Sequence, residues 1–446
     1  MGRGVFGAAP GRGRAGIAAG DRVLLRIGNT VDFPVCFLAL AALDAVAMPC
    51  SVALTDREVM ELLRKTHPKA MICDPKLGLE EFDGQTLQTQ QVRAFQTLPP
   101  ARPILGDPNR PGYIIFTSGT SGQPRAVLHA HRAVWARRMM WEGWYQLTSQ
   151  DVMMHAGALN WTYTLGTGLM DPWAIGASAV IPNTQEPAKL WQIMQAEKAS
   201  IFAAAPGIYR RLLQQPLACP SSLRHGLSAG DILPQALRDS WRDHTQTPIC
   251  EAFGMTECST FLSATPSAPD HLAVQPGRKI AIFDGDDLAP CGQIGTIAVD
   301  SQDPGLMLGY MEDASLTLPV KNGWYHTADQ GQIFADGRIE FAGRSGDILN
   351  AGGYRVAPRE LEQILEACPG VQEVGVTEVE VRRDVSVIAA FVVTEEQFDL
   401  AQLDALAARD LARYKQPRIM QRVPALPRNA NGKLIRADLP QLWSRK

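Results

Sequence analysis

Short apolar runs alternate along this chain with longer segments whose apolar residues recur at helical spacing. The runs at 22–28 (RVLLRIG), 70–74 (AMICD), 151–156 (DVMMHA), 178–182 (SAVIP) and 200–205 (SIFAAA) predict strands. Between them, 57–67 (REVMELLRKTH), 188–198 (AKLWQIMQAEK) and 234–244 (PQALRDSWRDH) predict helices. Strand–helix alternation of this kind implies an α/β fold with mostly parallel sheets. The pattern changes near residue 275, where 279–285 (KIAIFDG) and 295–300 (GTIAVD) follow closely with glycine-rich turns, as in an antiparallel or barrel-like subdomain. A second change falls at 341–356 (FAGRSGDILNAGGYRV). Beyond it come a helix at 358–368, two alternating runs at 371–381 and 385–393, and another helix at 400–414. The expected organisation is a large multi-subdomain region, 1–343, followed by a small α+β domain, 344–446.

With 446 residues the chain is too long for one core, since single cores stop growing at roughly 250–300 residues. A net charge of −3 leaves no basic footprint for nucleic acid or an anionic membrane, so the expected partner is a small molecule. The eight cysteines form no CxxC pair and no zinc-like spacing, which fits reduced thiols in a cytoplasmic protein. The opening 16 residues lack the apolar centre of a secretory leader, and Phe6 breaks the N-myristoylation pattern. The longest apolar stretch, 33–50, carries Asp44 and is broken by Pro34 and Pro49; a buried helix leading into a strand is expected rather than a membrane span.

Chemistry enters at 116–125, FTSGTSGQPR, directly after the apolar run GYIIF. Thr117, Ser118, Thr120 and Ser121 supply hydroxyl donors, Gly119 and Gly122 let backbone N–H groups turn toward a ligand, and Arg125 adds a positive charge. Such a loop suits phosphate oxygens, yet it does not match the G-x-x-x-x-G-K-[ST] loop. A plain Ser/Gly surface loop is the alternative.

The loop has company. FTSGTSGQPRAVLHAHRAV resembles the phosphate-loop signature of the adenylate-forming superfamily (AMP-dependent synthetases and ligases), and four further family-like segments follow in order: FGMTE (253–257), WYHTAD (324–329), GRSGDILNAGGYRV (343–356) and PRNANGK (427–433). The stretch 151–177 is similar to medium-chain acyl-CoA synthetases in particular. The resemblance implies activation of a carboxylic acid by ATP and Mg²⁺, then transfer of the acyl group to coenzyme A. It implies that residues 117–122, with Arg125, hold the departing phosphates, that Glu257 is the Mg²⁺ carboxylate and Thr256 an α-phosphate contact. Phe253 would face adenine, Asp329 the ribose hydroxyls, and Arg344 ribose or phosphate. Lys433 would bridge the attacking carboxylate and the α-phosphate.

His155, Trp161 and Gly230 would wall the acid pocket, and Gly352, Gly353, Tyr354 and Arg355 would line the tunnel for the coenzyme's pantetheine arm. The small domain would turn about a hinge at Gly346, where the family usually has Asp or Lys. Arg125 and Ala126 replace the usual lysine and glycine. No aspartate for a substrate ammonium stands in 155–166, so an acid without an α-amine is expected, either a short-to-medium fatty acid or an aryl acid. The segment before residue 20 is shorter than the family's, which leaves room for a partner subunit, and a homo-oligomer is one expectation. Two alternatives stay open at this point. One is transfer to a carrier protein's phosphopantetheine thiol; the other is a degenerate nucleotide-binding protein, against which the presence of Glu257 and Lys433 counts.

Overall fold

The structure is a computed structural model and describes residues 16–95, 102–117, 124–216, 219–313, 315–347, 349–351, 354–382, 385–411, 413, 415–429 and 432–443. All counts below refer to these residues. The predicted strands and helices form where the periodicity placed them. The apolar stretch 33–50 becomes the helix Asp32–Ala42 followed by the buried strand Val46–Pro49. No helix among the described residues is long and apolar enough to cross a membrane.

Two mixed sheets carry the large region. The first has eight strands, with a parallel half (Gln85–Gln88, Ala70–Cys73, Arg22–Arg26, Val46–Pro49, Pro111–Thr117) continued by antiparallel Arg125–Ala130, Gly309–Glu312 and Ser315–Thr317. The second has seven, with parallel Ser178–Val180, Val152–His155, Ile201–Ala204, His225–Ser228 and Ile249–Met255, then antiparallel Ser259–Thr265 and Ala268–Val274. The change of pattern near residue 275 becomes a third, antiparallel sheet of six strands, including Ile280–Asp284, Gly295–Asp300, Trp324–Ile333 and Ile339–Arg344. The region after residue 344 forms a three-stranded sheet, Val371–Arg382, Val385–Thr394 and Ile419–Arg422, with helices Pro358–Glu366 and Ala401–Asp410.

Local chemistry explains the helix starts. Thr55 and Glu58 form a reciprocal capping box ahead of Asp56–Thr66, which satisfies free N–H groups at the first turn. Proline occupies the first turn of Pro187–Ala196, Pro206–Leu213 and Pro358–Glu366, where its missing N–H costs nothing. The helices then bury apolar stripes against the sheets. Under the second sheet, Trp191 and Trp241 stack at 5.7 Å, and the Tyr209 ring meets Trp241 edge-on at 4.7 Å. All three are fully buried.

Trp241 is fully buried in this group, so its removal tests the packing of these helices. Trp241→Ala is expected to lower unfolding free energy by about 3–5 kcal/mol through lost contacts and a cavity. Denaturant unfolding followed by tryptophan fluorescence checks this; a loss below ~1 kcal/mol would contradict the packing described.

Candidate functional site

The hydroxyl–glycine segment lies between two paired strands. Pro111–Thr117 and Arg125–Ala130 pair antiparallel, with Thr117 opposite Arg125. A loop between two antiparallel strands differs from the strand-to-helix loop of common phosphate sites, consistent with the absent lysine. Ser118, Gly119, Thr120, Ser121 and Gly122 lie outside the described residues.

From this hairpin a continuous set of contacts leads inward. The Arg125 guanidinium carbon lies 3.2 Å from the ring centroid of Tyr310, a cation–π stack. The Tyr310 hydroxyl donates to Glu257 Oε1 at 2.7 Å and lies 2.9 Å from the Tyr325 hydroxyl. Burial, then the Glu257 charge, push both phenols well above their ordinary pKa, so they stay protonated and able to donate. Neither tyrosine stood out in the sequence, although Tyr310 ends the run LMLGY and Tyr325 lies within WYHTAD. Their only advance signal was a polar tip at the end of an apolar body.

Glu257 stands in the turn between Ile249–Met255 and Ser259–Thr265. Its backbone is pinned: Met307 N–H donates to its carbonyl at 2.7 Å, and His129 Nε2 lies 2.8 Å from the Thr256 carbonyl. Burial lowers the His129 pKa to about 4, so the ring is neutral and donates through Nε2. Gly254 is required by close approach, because a Cβ there would stand 2.4 Å from the Ser259 carbonyl oxygen. Phe253 packs edge-on to Phe261 at 5.4 Å and against Phe341 at 5.0 Å, and it remains half-buried.

Asp329 sits on Trp324–Ile333, opposite Arg344 in the antiparallel register, with the Arg344 Nε 3.5 Å from its carboxylate. It is 5% exposed. Burial raises its pKa above the ordinary carboxylate value; the charges of Arg344 and Lys433 lower it, and those of Glu257 and Asp347 raise it. Asp329 thus feels both Glu257 and Lys433, residues 176 positions apart by their numbers, 433 and 257. Lys433 is exposed at the tip of a turn closed by Asn429: Lys433 N–H donates to Asn429 Oδ1 at 3.0 Å, Asn429 N–H to the Lys433 carbonyl at 2.9 Å, and Arg428 Nη1 to the Gly432 carbonyl at 2.6 Å. The predicted turn presents the predicted lysine.

The small domain is held against the large one by charge. Arg210 meets Glu373 at 2.6 Å, Glu373 meets Arg428 at 2.8 Å, and Arg428 lies 3.9 Å from Asp231. At Gly346 the chain turns, with Ser345 N–H donating to Ala328 O and Asp347 N–H to Arg344 O. A Cβ at Gly346 would meet nothing within 4 Å, so glycine is not needed for this conformation. Gly352 and Gly353 lie outside the described residues. Arg355 and Tyr354 pair by backbone with Asn350 and Ala351.

His155 ends a parallel strand, and Gly230 follows another at the same sheet edge, two strands away across Ile201–Ala204. Carboxyl ends of parallel strands are where open α/β sheets bind ligands. Gly230 has φ +90°, which an L side chain rarely adopts. His155 accepts from Gly157 N–H at Nδ1 (2.9 Å), touches the Tyr163 ring edge-on at 4.4 Å, and leaves Nε2 without a partner. Burial, with Arg137 nearby, lowers its pKa to about 3, so it is neutral. Trp161 is half-buried at the start of Thr162–Leu165.

For a divalent cation, no cluster of three or more His, Cys, Asp or Glu exists among the described residues. Glu257 nevertheless fits Mg²⁺. Only Oε1 is hydrogen-bonded among those residues, and Mg²⁺ is commonly held by one or two carboxylates together with substrate phosphates.

Comparison with known proteins bears on this arrangement. The family described as "AMP-binding enzyme" matches residues 12–311, and "AMP-binding enzyme C-terminal domain" matches residues 360–433. The chain is 27% identical to the 3-hydroxybenzoate--CoA/4-hydroxybenzoate--CoA ligase of Thauera aromatica, covering 94% of this chain and 86% of that protein. It is also 27% identical to the long-chain-fatty-acid--CoA ligase FadD13 of Mycobacterium tuberculosis, covering 96% and 89%. Among solved structures, ATP-bound MatB from Rhodopseudomonas palustris superposes with a TM-score of 0.87 at 25% identity, covering 99% and 92%.

The raised pKa of Asp329 carries a sign. Between an unfolded value near ~3.9 and its higher folded value, the native state binds more protons than the unfolded one, so this group's contribution to stability falls as pH rises through that window. A ligand whose hydroxyls donate to the carboxylate needs the ionised form and behaves in the opposite sense. AMP affinity, measured by calorimetry, is therefore expected to fall by up to about tenfold per pH unit below the Asp329 midpoint, at a pH above that of an ordinary aspartate. Arg344→Met should move this limb to higher pH and Asp329→Asn should abolish it; an unchanged limb in Asp329→Asn would show that another group titrates.

Proposed function

The chain belongs to the AMP-binding enzyme family, and from that premise we propose that it is an AMP-forming acyl-CoA synthetase. It joins a carboxylic acid to ATP, releasing pyrophosphate, and then passes the acyl group to the thiol of coenzyme A. The observation that carries the reading is the convergence of four distant segments. Arg125, paired in register with Thr117, reaches Glu257 through Tyr310, and the charges of Glu257 and Lys433 both act on Asp329.

The first step has an electrostatic difficulty. A carboxylate must attack the α-phosphorus of a polyanion, and negative charge moves onto the leaving pyrophosphate. Cations and fixed donors in place before reaction lower that barrier more than a strong base would. Arg125 and Thr117, with residues 118–122, would hold the departing phosphates. Glu257 would hold Mg²⁺, which neutralises phosphate charge when bound, and Thr256 beside it would meet the α-phosphate. Lys433, on its turn, would bring the attacking carboxylate and α-phosphate together. Asp329 would accept from the ribose hydroxyls, Arg344 would lie along ribose or phosphate, and Phe253 would offer its free surface to adenine.

His155, Trp161 and Gly230 are assigned to the acid side at the strand ends. A neutral His155 against the Tyr163 ring suits an acid with an uncharged tail, either a fatty or an aryl acid. For the second step the segment 352–355 would line the path of the pantetheine arm. The small domain, 344–446, would move about Gly346, breaking the Arg210–Glu373 and Arg428–Asp231 pairs.

Acid-dependent exchange of pyrophosphate into ATP tests the first step, and AMP release from a panel of fatty and aryl acids with ATP, Mg²⁺ and CoA tests both. Lys433→Ala is expected to lower exchange by on the order of 10²-fold or more while leaving ATP binding in place. Free CoA, rather than a carrier-protein thiol, is the expected acceptor. ATP binding without exchange for any acid in a broad panel would overturn the reading.

A further inference from the structure

Two fully buried guanidiniums close on the turn that carries Glu257, and neither is accounted for by the roles above. Arg278 donates from Nη2 to the carbonyl of Cys258 at 2.9 Å and from Nη1 to that of Thr260 at 2.7 Å. Its Nε is bonded to both oxygens of Asp303, at 3.0 and 2.9 Å. The side chains of this pair are 1% and 0% exposed. Between the two gripped carbonyls lies Ser259, whose φ of +58° is left-handed, a costly conformation for a residue with a Cβ. Its hydroxyl accepts from Nη1 of Arg137. Arg137 is in turn held by Asp171, with Nη2 to Oδ2 at 2.8 Å, and this pair is equally buried.

Residues 258–260 are therefore fixed from behind by three hydrogen bonds from two guanidiniums, each anchored by its own buried aspartate. Buried ion pairs are weak sources of stability, because desolvation offsets most of the attraction. What a planar fork does supply is geometry: two parallel donors at fixed spacing, which lysine cannot reproduce. The strained serine shows that this stretch of chain is held where it would not rest by itself. One residue before the gripped segment is Glu257, with one carboxylate oxygen tied to Tyr310 and the other free of hydrogen bonds among the described residues. A lone carboxylate that must meet a small, geometrically demanding cation gains most from a backbone that cannot drift.

We infer that Arg278 and Arg137 are positioning residues for Glu257, acting through the 258–260 backbone and the Ser259 hydroxyl to set the affinity of the site for Mg²⁺ alongside ATP. The inference rests on the assignment of Glu257 to Mg²⁺ made above. It predicts that loosening the grip weakens the Mg²⁺ dependence of ATP binding without weakening ATP binding in the absence of metal.

The test is calorimetric titration of ATP into the purified full chain, in EDTA and across a Mg²⁺ series, with thermal unfolding of each variant measured in parallel. Arg278→Lys keeps the charge beside Asp303 but loses the fork. Ser259→Ala removes only the Arg137 contact and leaves both ion pairs intact, so it remains informative if Arg278→Lys fails to fold. Apparent Mg²⁺ affinity is expected to fall by about tenfold in Arg278→Lys and severalfold in Ser259→Ala, with metal-free ATP affinity within about twofold of wild type. Unchanged Mg²⁺ dependence in Ser259→Ala and in folded Arg278→Lys overturns the inference, as does a parallel loss of metal-free ATP binding, which is the mark of general loosening. Glu257→Gln is the reference: if it keeps wild-type Mg²⁺ dependence, the Glu257 assignment falls and takes this inference with it. If Glu257→Gln loses that dependence while the other two variants keep it, only the present inference falls.

Discussion

The contact on which the site depends is the hydrogen bond from Tyr310 to Glu257, with Arg125 stacked on the far side of the same ring. Two strands of the first sheet and a turn of the second meet there. Arg125 and Tyr310 lie on adjacent antiparallel strands of the first sheet, and Glu257 on a turn at the edge of the second. A hydrogen bond to a charged acceptor is worth about 1.5–3 kcal/mol, more than a neutral one, because the charge strengthens it and an unpaired partner would be costly. The phenol orients one carboxylate oxygen, and a guanidinium above its ring brings positive charge to the end of the hairpin. A single aromatic residue thus connects Arg125, at the start of its strand, with the Glu257 carboxylate.

Around that contact the molecule accepts burial costs in return for order. Asp329 is almost fully enclosed with one long ion pair, and burial raises its pKa. Arg278 with Asp303 and Arg137 with Asp171 are enclosed too, but densely hydrogen-bonded. The difference is informative: the densely bonded pairs grip the turn, whereas the sparsely bonded carboxylate has Arg344 as its ion-pair partner among the described residues. Unfilled acceptor capacity on a buried carboxylate is what a ligand with hydroxyl donors can use.

Among the described residues the small domain meets the second-sheet region through partly exposed ion pairs, Arg210–Glu373 and Arg428–Asp231. Pairs of this kind contribute little stability, so they suit an interface that has to part. Arg428 also bonds the Gly432 carbonyl, which couples the placement of the Lys433 turn to the same contacts.

The sequence by itself determined the elements and the candidate chemistry. Periods of two and of 3.6 residues reflect which faces are buried, so the strands, the helices, the change to antiparallel pairing near residue 275 and the small final domain were all legible. Asn429, Gly432 and Lys433 form the turn expected of PRNANGK, because turn chemistry is local. The resemblance marked Glu257, Asp329 and Arg344 through ordered segments. Only the tertiary structure decided which residues meet. Tyr310, Arg278 and Arg137 gave no local signal of their partners, since a tyrosine or arginine reads as a snorkelling side chain until its partner is known. Those partners, Glu257, Asp303 and Asp171, arrive through sheet register and long-range packing, and pairings between distant positions are properties of the assembled fold rather than of any stretch of chain.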